Sequence, residues 1–240
     1  MKKLIGFLLK VILCLALLAG FTIVLPGYIH YRNTVDEVPV EEAAQVYFDM
    51  EDYVPYDVLD ENLVDAVVAV EDQRFFTRRG MDVRALIRAI LHNLQAGESI
   101  EGGSTISQQI AKNLYYQTIH RTTAVKAAEI FIMIELEEKY SKEDLLALYM
   151  NMNYYGDGFW GISQASKGYF GAVPSDLTVA QSAMLAGIPN APSAYQLSTG
   201  SELAVSRQRK VLSRMYEEEY ITQEEYENAL AEDVLSYYLH

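Results

Sequence analysis

The stretch Ala124-Val125-Lys126-Ala127-Ala128-Glu129-Ile130-Phe131-Ile132-Met133-Ile134-Glu135-Leu136-Glu137-Glu138-Lys139-Tyr140 decides the fold class. Its apolar residues fall on nearly every side of a 3.6-residue period, and a helix of that kind belongs in the middle of a core. The flanking sequence is helical too. Asp82 can cap a helix whose apolar positions Val83, Leu86, Ile87, Ile90, Leu91 and Leu94 share one face, with Gly97 as its stop. Ser141 with Asp144, Thr178 with Gln181 and Thr222 with Glu225 read as capping boxes opening three more helices, the second closed by Gly187 and Pro189. Residues 28–56 read as linking sequence rich in Glu, Asp and Tyr, with a short strand expected at Ala44–Phe48. There is no internal repeat and no low-complexity segment. The expectation is an all-α domain.

Composition narrows the function. The 240 residues are 50% hydrophobic and 22% charged, with only 14 Gly and 6 Pro, which excludes a mainly disordered or collagenous chain. The net charge of -14 argues against general nucleic-acid binding, because a phosphate backbone needs a cationic surface. The single cysteine, Cys14, excludes an intramolecular disulfide within these residues, and the four histidines form no HExxH pattern. The charge is uneven: residues 71–126 hold eight Lys/Arg against five acids. A locally basic stretch in an acidic protein suits a small anionic ligand; a helix with a solvated cationic face is the plainer alternative.

At the N-terminus, Leu4 to Leu25 is apolar apart from Lys10 and spans about 33 Å as a helix, enough to cross a hydrocarbon core of about 30 Å. Lys2 and Lys3 precede it and no acid appears before Asp36, which orients the N-terminus to the cytoplasm. A cleaved signal peptide fits less well, since Leu17/Ala19 and Leu25/Gly27 make poor cleavage positions. Pro26-Gly27 is expected to end this helix, and Tyr28 and Tyr31 suit a membrane–water interface. The expected location is the cell membrane, single-pass, with residues beyond the anchor outside the cytoplasm.

Two places put polar groups where the pattern favours apolar ones. In Val67-Val68-Ala69-Val70-Glu71-Asp72-Gln73-Arg74-Phe75-Phe76, two carboxylates end a buried-looking helix. A carboxylate against an apolar wall gains proton affinity, which suits a general acid or base, although a solvated Glu-Asp pair gives the same string. In Glu101-Gly102-Gly103-Ser104-Thr105-Ile106-Ser107-Gln108-Gln109-Ile110-Ala111-Lys112-Asn113, two glycines permit close backbone approach and Ser104 can cap the next helix. Gln108 and Lys112 lie at i and i+4, so an amide and an ammonium share a face. This is an anion cradle without the Gly-Lys-Ser/Thr of a P-loop; an ordinary N-cap after a turn is the alternative. Lys126 and Glu129 are i, i+3 neighbours on the apolar helix, an ion pair or a pair of site residues.

These segments resemble the ordered motifs of peptidoglycan glycosyltransferases, the enzymes found alone or as the first domain of class A penicillin-binding proteins. The resemblance rests on Glu71-Asp72-x-x-Phe75-x-x-x-x-Gly80, Gly102-Gly103-Ser104-Thr105-Ile106-Ser107-Gln108-Gln109-x-x-Lys112-Asn113, Lys126-x-x-Glu129 and Leu148-Tyr149-Met150-Asn151. Further matches are Gly161-Ile162-x-x-Ala165-Ser166-x-x-Tyr169-Phe170-Gly171 and Ala180-Gln181-x-Ala183-x-Leu185-Ala186-Gly187-x-Pro189-x-Ala191-Pro192. It implies a lysozyme-like head lobe with a small, mobile, membrane-facing jaw that includes much of residues 80–120. The helix over 83–95, with Arg84 and Arg88, then suits a lipid surface. The division expected is 1–27 for the cytoplasmic N-terminus and transmembrane anchor, 28–44 for a connector, 45–215 for the glycosyltransferase domain and 216–240 for a helical extension.

The activity implied by the resemblance is inverting polymerisation of lipid II into β1,4-linked glycan strands with release of undecaprenyl pyrophosphate. Glu71 matches the base and Glu129 the second essential carboxylate. Lys112, Arg121 and Lys126 match the basic positions for the pyrophosphate. Asp72, Phe75, Gly103, Ser104, Thr105, Gln108, Gln109 and Asn113 are carried over as substrate-binding residues. A divalent cation, Mg or Mn, at the pyrophosphate is left open, with no metal ligand assigned. The implied partners are lipid II, the growing glycan strand, the bacterial membrane and other cell-wall synthesis proteins, with no nucleic acid. Three positions depart from the family pattern: Arg78 stands where His is usual, Val125 where Arg is usual and Ala147 where an acid is usual. Weaker pyrophosphate binding is expected, with Arg78 or Arg79 restoring some charge. No Ser-x-x-Lys, Ser-x-Asn or Lys-Thr-Gly occurs, so a monofunctional enzyme without a transpeptidase domain is expected. Two other classes compete. A lytic enzyme of the same fold would not use the lysines, and a catalytically inactive scaffold would not need both carboxylates.

Overall fold

The computed structural model describes residues 2–78, 104–120 and 122–238, and of residues 2–19 the side chains of Phe7, Lys10 and Leu18 only. Among the described residues every regular element is a helix, and the sole β feature is an isolated bridge between Tyr154 and Trp160. The all-α expectation holds. In chain order the helices are α1 (Lys2–Glu37), α2 (Val40–Phe48), α3 (Glu61–Glu71), α4 (Ile106–Tyr115), α5 (Thr123–Lys139) and α6 (Lys142–Met152). They continue with α7 (Gly161–Phe170), α8 (Val179–Gly187), the short α9 (Pro192–Tyr195), α10 (Leu197–Glu217) and α11 (Gln223–Ala231).

The ends are set by the capping chemistry legible in the sequence. Ser141, Thr178 and Thr222 each accept a hydrogen bond from the backbone N–H three residues on, and Thr178 and Thr222 complete reciprocal boxes with Gln181 and Glu225. Gly171 closes α7 in the left-handed region at φ 65°, where a side chain is disfavoured. The helix expected from Asp82 to Gly97 lies outside the described residues.

Four expectations are corrected. The first helix does not stop at Pro26-Gly27 but runs to Glu37. Its second half is anchored by packing on α5: Phe131 meets the rings of Tyr28 and Tyr31 at 5.4 and 5.6 Å. A Cβ on Gly27 would sit 2.3 Å from that of Ala127. Tertiary contact thus outweighs the local cost of the proline. The strand expected at Ala44–Phe48 is part of α2, because Val40 and Ala44, four residues apart, are both fully buried on one helical face. The connector 28–44 is accordingly helical. Helices α6 and α8 are more enclosed than α5: α6 is buried without interruption from Leu145 to Met152 and α8 from Ala180 to Gly187, whereas Phe131, Met133 and Ile134 of α5 are only half-buried. Finally, α4, assigned to the mobile jaw, packs on α5 and α6 with Ile106, Ile110 and Ala111 fully buried; residues 79–103 lie outside the described residues.

The C-terminal extension is integral to the core. Tyr216 stacks on Tyr226 at 5.2 Å, and Ile221, Ala229 and Val234 are buried. Among the described residues no helix is long and apolar enough to cross a membrane. Most side chains of the expected anchor fall outside that description.

Candidate active site

Helix α3 opens on Asp60, whose carboxylate accepts the Asn62 N–H, and buries one face through Leu63, Val64, Ala66, Val67, Val68 and Ala69. It ends because Asp72 leaves helical geometry, at φ −158°. The last helical residue, Glu71, therefore projects from the core into a cleft, its side chain 11% exposed. The Gln109 amide on α4 donates to Glu71 Oε2 at 2.6 Å, and a guanidinium nitrogen of Arg207 on α10 lies 3.8 Å from Oε1. The buried Tyr149 hydroxyl, 3.5 Å from Gln109 Oε1, stands behind the amide. Burial pushes the Glu71 carboxyl above the usual carboxylate range. The Gln109 hydrogen bond and the Arg207 charge oppose this, and Asp72 adds to it.

A second polar group braces the turn after α3. Arg78 bridges Asp72 at 3.1 Å and Glu137 on α5 at 2.8 Å. Glu137 also accepts from Ser107 at 2.7 Å and pairs with Lys142 at 2.9 Å. The Lys142 ammonium sits 4.8 Å over the Phe75 ring. Burial alone would raise the Glu137 carboxyl, but Lys142, Ser107 and Arg78 hold it below its ordinary value. Two sequence expectations change here. Arg78 is committed to two carboxylates and does not supply spare charge for an anion, while Arg79 lies outside the described residues. Phe75, carried over as substrate-binding, is fully buried beneath Lys142 and presents no surface to a ligand.

The cradle segment also differs in detail. Thr105, not Ser104, caps α4, its hydroxyl accepting the Gln108 N–H at 3.2 Å. Gln108 is buried while Gln109 reaches Glu71, so the amide and ammonium expected on one face are those of Gln109 and Lys112, one turn apart. Asn113 donates to Asn153 at 3.0 Å. On α5, Glu129 is fully buried and Lys126 half-buried. Gly103 and Arg121 lie outside the described residues. Val125 and Ala147, the other two departures, are both buried in the core. Asn151, in the Leu-Tyr-Met-Asn motif, bonds the Val54 N–H and C=O and the Ala147 C=O. It is a structural clamp.

Two cavities meet at Glu71. One, about 380 Å³, is lined by Asp72, Arg74, Arg78, Ser104, Thr105 and, shared with the second, Arg214. The other, about 420 Å³, is lined by Asn190, Arg207, Lys210, Ser213 and Arg214. The cations of the second cavity went unnoticed in the sequence. The signal was there: Arg207, Lys210 and Arg214 follow the 0, 3, 7 spacing of one helical face, with no acid between Ala204 and Tyr216. Among the described residues no three His, Cys, Asp or Glu side chains gather as metal ligands, so the divalent cation left open above has no ligand set there.

Comparison with known proteins agrees with this geometry. Residues 41–216 match the family model described as Transglycosylase. Penicillin-binding protein 1A of Aquifex aeolicus (strain VF5) is 36% identical, over 96% of this chain and 33% of its own length. Penicillin-binding protein 1F of Bacillus subtilis (strain 168) is 36% identical, over 82% and 28%. The solved penicillin-binding protein 1A of Haemophilus influenzae aligns with 54% of this chain and 16% of its own, at 28% identity and a TM-score of 0.37, too partial a likeness to add to the family match. The chain spans about a third or less of the length of these relatives. With the family model matched over most of its residues, the chain belongs to the transglycosylase family.

Proposed function

We propose that this protein joins lipid II units into β1,4-linked glycan strands by inverting glycosyl transfer, with Glu71 as the general base. The observation that carries the reading is the Glu71 carboxylate: nearly enclosed, raised in proton affinity, held at one oxygen by Gln109 and open to two cavities at once. A base for a sugar hydroxyl works best when its proton affinity approaches the working pH. Glu71 takes the proton of an acceptor 4-hydroxyl as that oxygen attacks C1 of the donor and the bond from C1 to the pyrophosphate oxygen breaks. The pyrophosphate departs as an anion, so the group facing it is a cation rather than an acid. Lys112, one turn beyond Gln109, and Lys126 are the described cations for that role, with Arg121 assigned by the family pattern. A lytic role would instead require a carboxylic acid facing a leaving sugar.

The same reading includes the two-lobe head-and-jaw arrangement. It also includes a single-pass anchor formed by the 22 apolar-rich residues Leu4–Leu25, with the catalytic domain on the outer face of the cell membrane. The membrane-bound lipid substrate is consistent with that anchor, and other wall-building proteins are the natural partners. The test is polymer formation from fluorescent lipid II by detergent-purified full-length protein, resolved on a gel with and without EDTA. Wild type is expected to give polymer, and Glu71→Gln to lose at least about 100-fold in rate, the lower range for removing a general base. A folded wild type that makes no polymer across several lipid II variants would refute the transferase and leave the scaffold reading. The EDTA lane decides the metal.

A further inference from the structure

The second cavity has no assigned occupant, and its chemistry is specific. Its wall is one face of α10, where Arg207 and Lys210 are a turn apart and Arg214 follows one turn later. Arg207 is turned toward Glu71, and Arg214 is engaged by Glu217 at 2.8 Å. Lys210 is exposed, and the ion pairs of this face among the described residues are those of Arg207 and Arg214. Asn190 and Ser213 add neutral hydrogen-bonding groups beside it. A protein with 33 acidic residues therefore presents a cationic wall, free of acids except Glu217, beside the Glu71 carboxylate. Such a wall recognises an anion.

Stereochemistry says which anion. Inversion at C1 requires the attacking oxygen and the leaving oxygen to lie on opposite faces of the donor sugar. The cations proposed for the leaving pyrophosphate, Lys112 and Lys126, are on α4 and α5, and neither lines this cavity. With the leaving group taken by those lysines, the α10 wall is left to the attacking sugar. That sugar belongs to a disaccharide whose second sugar carries two acidic groups, a peptide with a free C-terminal carboxylate and the pyrophosphate. Resting on the function proposed above, we infer that Lys210, with Arg214 at the outer rim, binds a carboxylate of the acceptor's stem peptide, making α10 a specificity surface for the peptide. The pyrophosphate of the same acceptor is the other anion of similar chemistry, and the two can be separated.

Full-length protein is assayed for initial polymerisation rates with two lipid II preparations, one with a free C-terminal stem carboxylate and one with that carboxylate amidated. Wild type is expected to show a KM about fivefold lower for the free acid, the size of one partly exposed charge pair. In Lys210→Gln and in Lys210→Gln/Arg214→Gln that preference falls toward one, through a rise in KM for the free acid alone. A soluble disaccharide-peptide lacking phosphate should compete with lipid II in wild type and compete less in both variants. Equal KM values for the two substrates in wild type overturn the inference. A rise in KM that is the same for both substrates in the variants also overturns it and assigns the wall to phosphate. Wild type that makes no polymer at all overturns the parent reading and this one together, whereas polymer without peptide discrimination overturns this one only.

Discussion

Glu137 offers a quantitative test of how the site is held. Replacing it by Gln keeps its shape and one acceptor oxygen for Ser107, but removes the charge on which Arg78 and Lys142 converge. The partners are largely enclosed, with side chains 18% (Arg78), 21% (Lys142) and 12% (Glu137) exposed, so water replaces little of what is lost. Removing one partner of a buried ion pair costs about 3–5 kcal/mol, and the residual exposure places this case near 3 kcal/mol. For a chain of this size that corresponds to a fall in Tm of roughly 6–12 °C. Thermal unfolding followed by circular dichroism measures it. The pH dependence gives a second handle. Because the folded carboxyl lies below its ordinary value, its contribution is present above the usual carboxylate range and lost as pH falls through the folded value. The Tm gap between wild type and Glu137→Gln should therefore be widest near neutrality and close on acidification. A gap under about 2 °C at neutral pH, or one that persists unchanged in acid, would refute the reasoning that Glu137 is the ionised centre of the brace.

Three further outcomes follow from particular contacts. Arg207→Gln removes a positive charge that lowers the Glu71 carboxyl, so that carboxyl moves further up and the acid limb of the kcat/KM profile shifts to higher pH; an unmoved limb would disconnect Arg207 from the base. Gly27→Leu forces α1 off α5, where even a Cβ has only 2.3 Å. A loss of about 1–3 kcal/mol is expected in denaturant unfolding, partly recovered by adding Ala127→Gly. Asn151→Leu leaves the buried Val54 N–H and C=O without their partner. It should cost about 3 kcal/mol in the same measurement and speed hydrogen exchange at Val54.

The readable parts of the sequence were those whose cause is local. The caps Ser141, Thr178 and Thr222 need only their own next turn, and all three cap their helices, the two threonines as full boxes and Ser141 without the reciprocal bond. Glu71 was legible for the same reason, as a carboxylate closing an apolar helical run. Features set by distant partners were not. Nothing within a few residues of Pro26 says that Tyr28 and Tyr31 will meet Phe131, a hundred residues on. Ala44–Phe48 reads equally well as strand or helix until Val40 is known to be buried with Ala44. Phe75 beside two catalytic-looking carboxylates invites a binding role, yet its burial depends on Lys142 and on the α5–α6 junction. The α10 cations were legible as a helical face, but only the fold brings that face to Glu71.

The position of Glu71 explains why its two restraints come from so far away in the chain. At the last residue of α3 the carboxylate faces the negative end of the helix dipole, which joins burial in favouring the protonated form. Without the Gln109 hydrogen bond and the Arg207 charge, the group would hold its proton more firmly. Ionisation depends on Gln109 from α4 and Arg207 from α10, separated by nearly a hundred residues and brought together only when both helices are docked. Helix α10 docks through Ala204, Val211, Leu212 and Met215, and through a bond from Gln208 to the Ala180 carbonyl at 2.8 Å. A change that loosens this seam moves Arg207 without touching any reacting group, so it acts on activity through the proton affinity of Glu71. The base is in this sense a property of the assembled core rather than of the Glu-Asp motif.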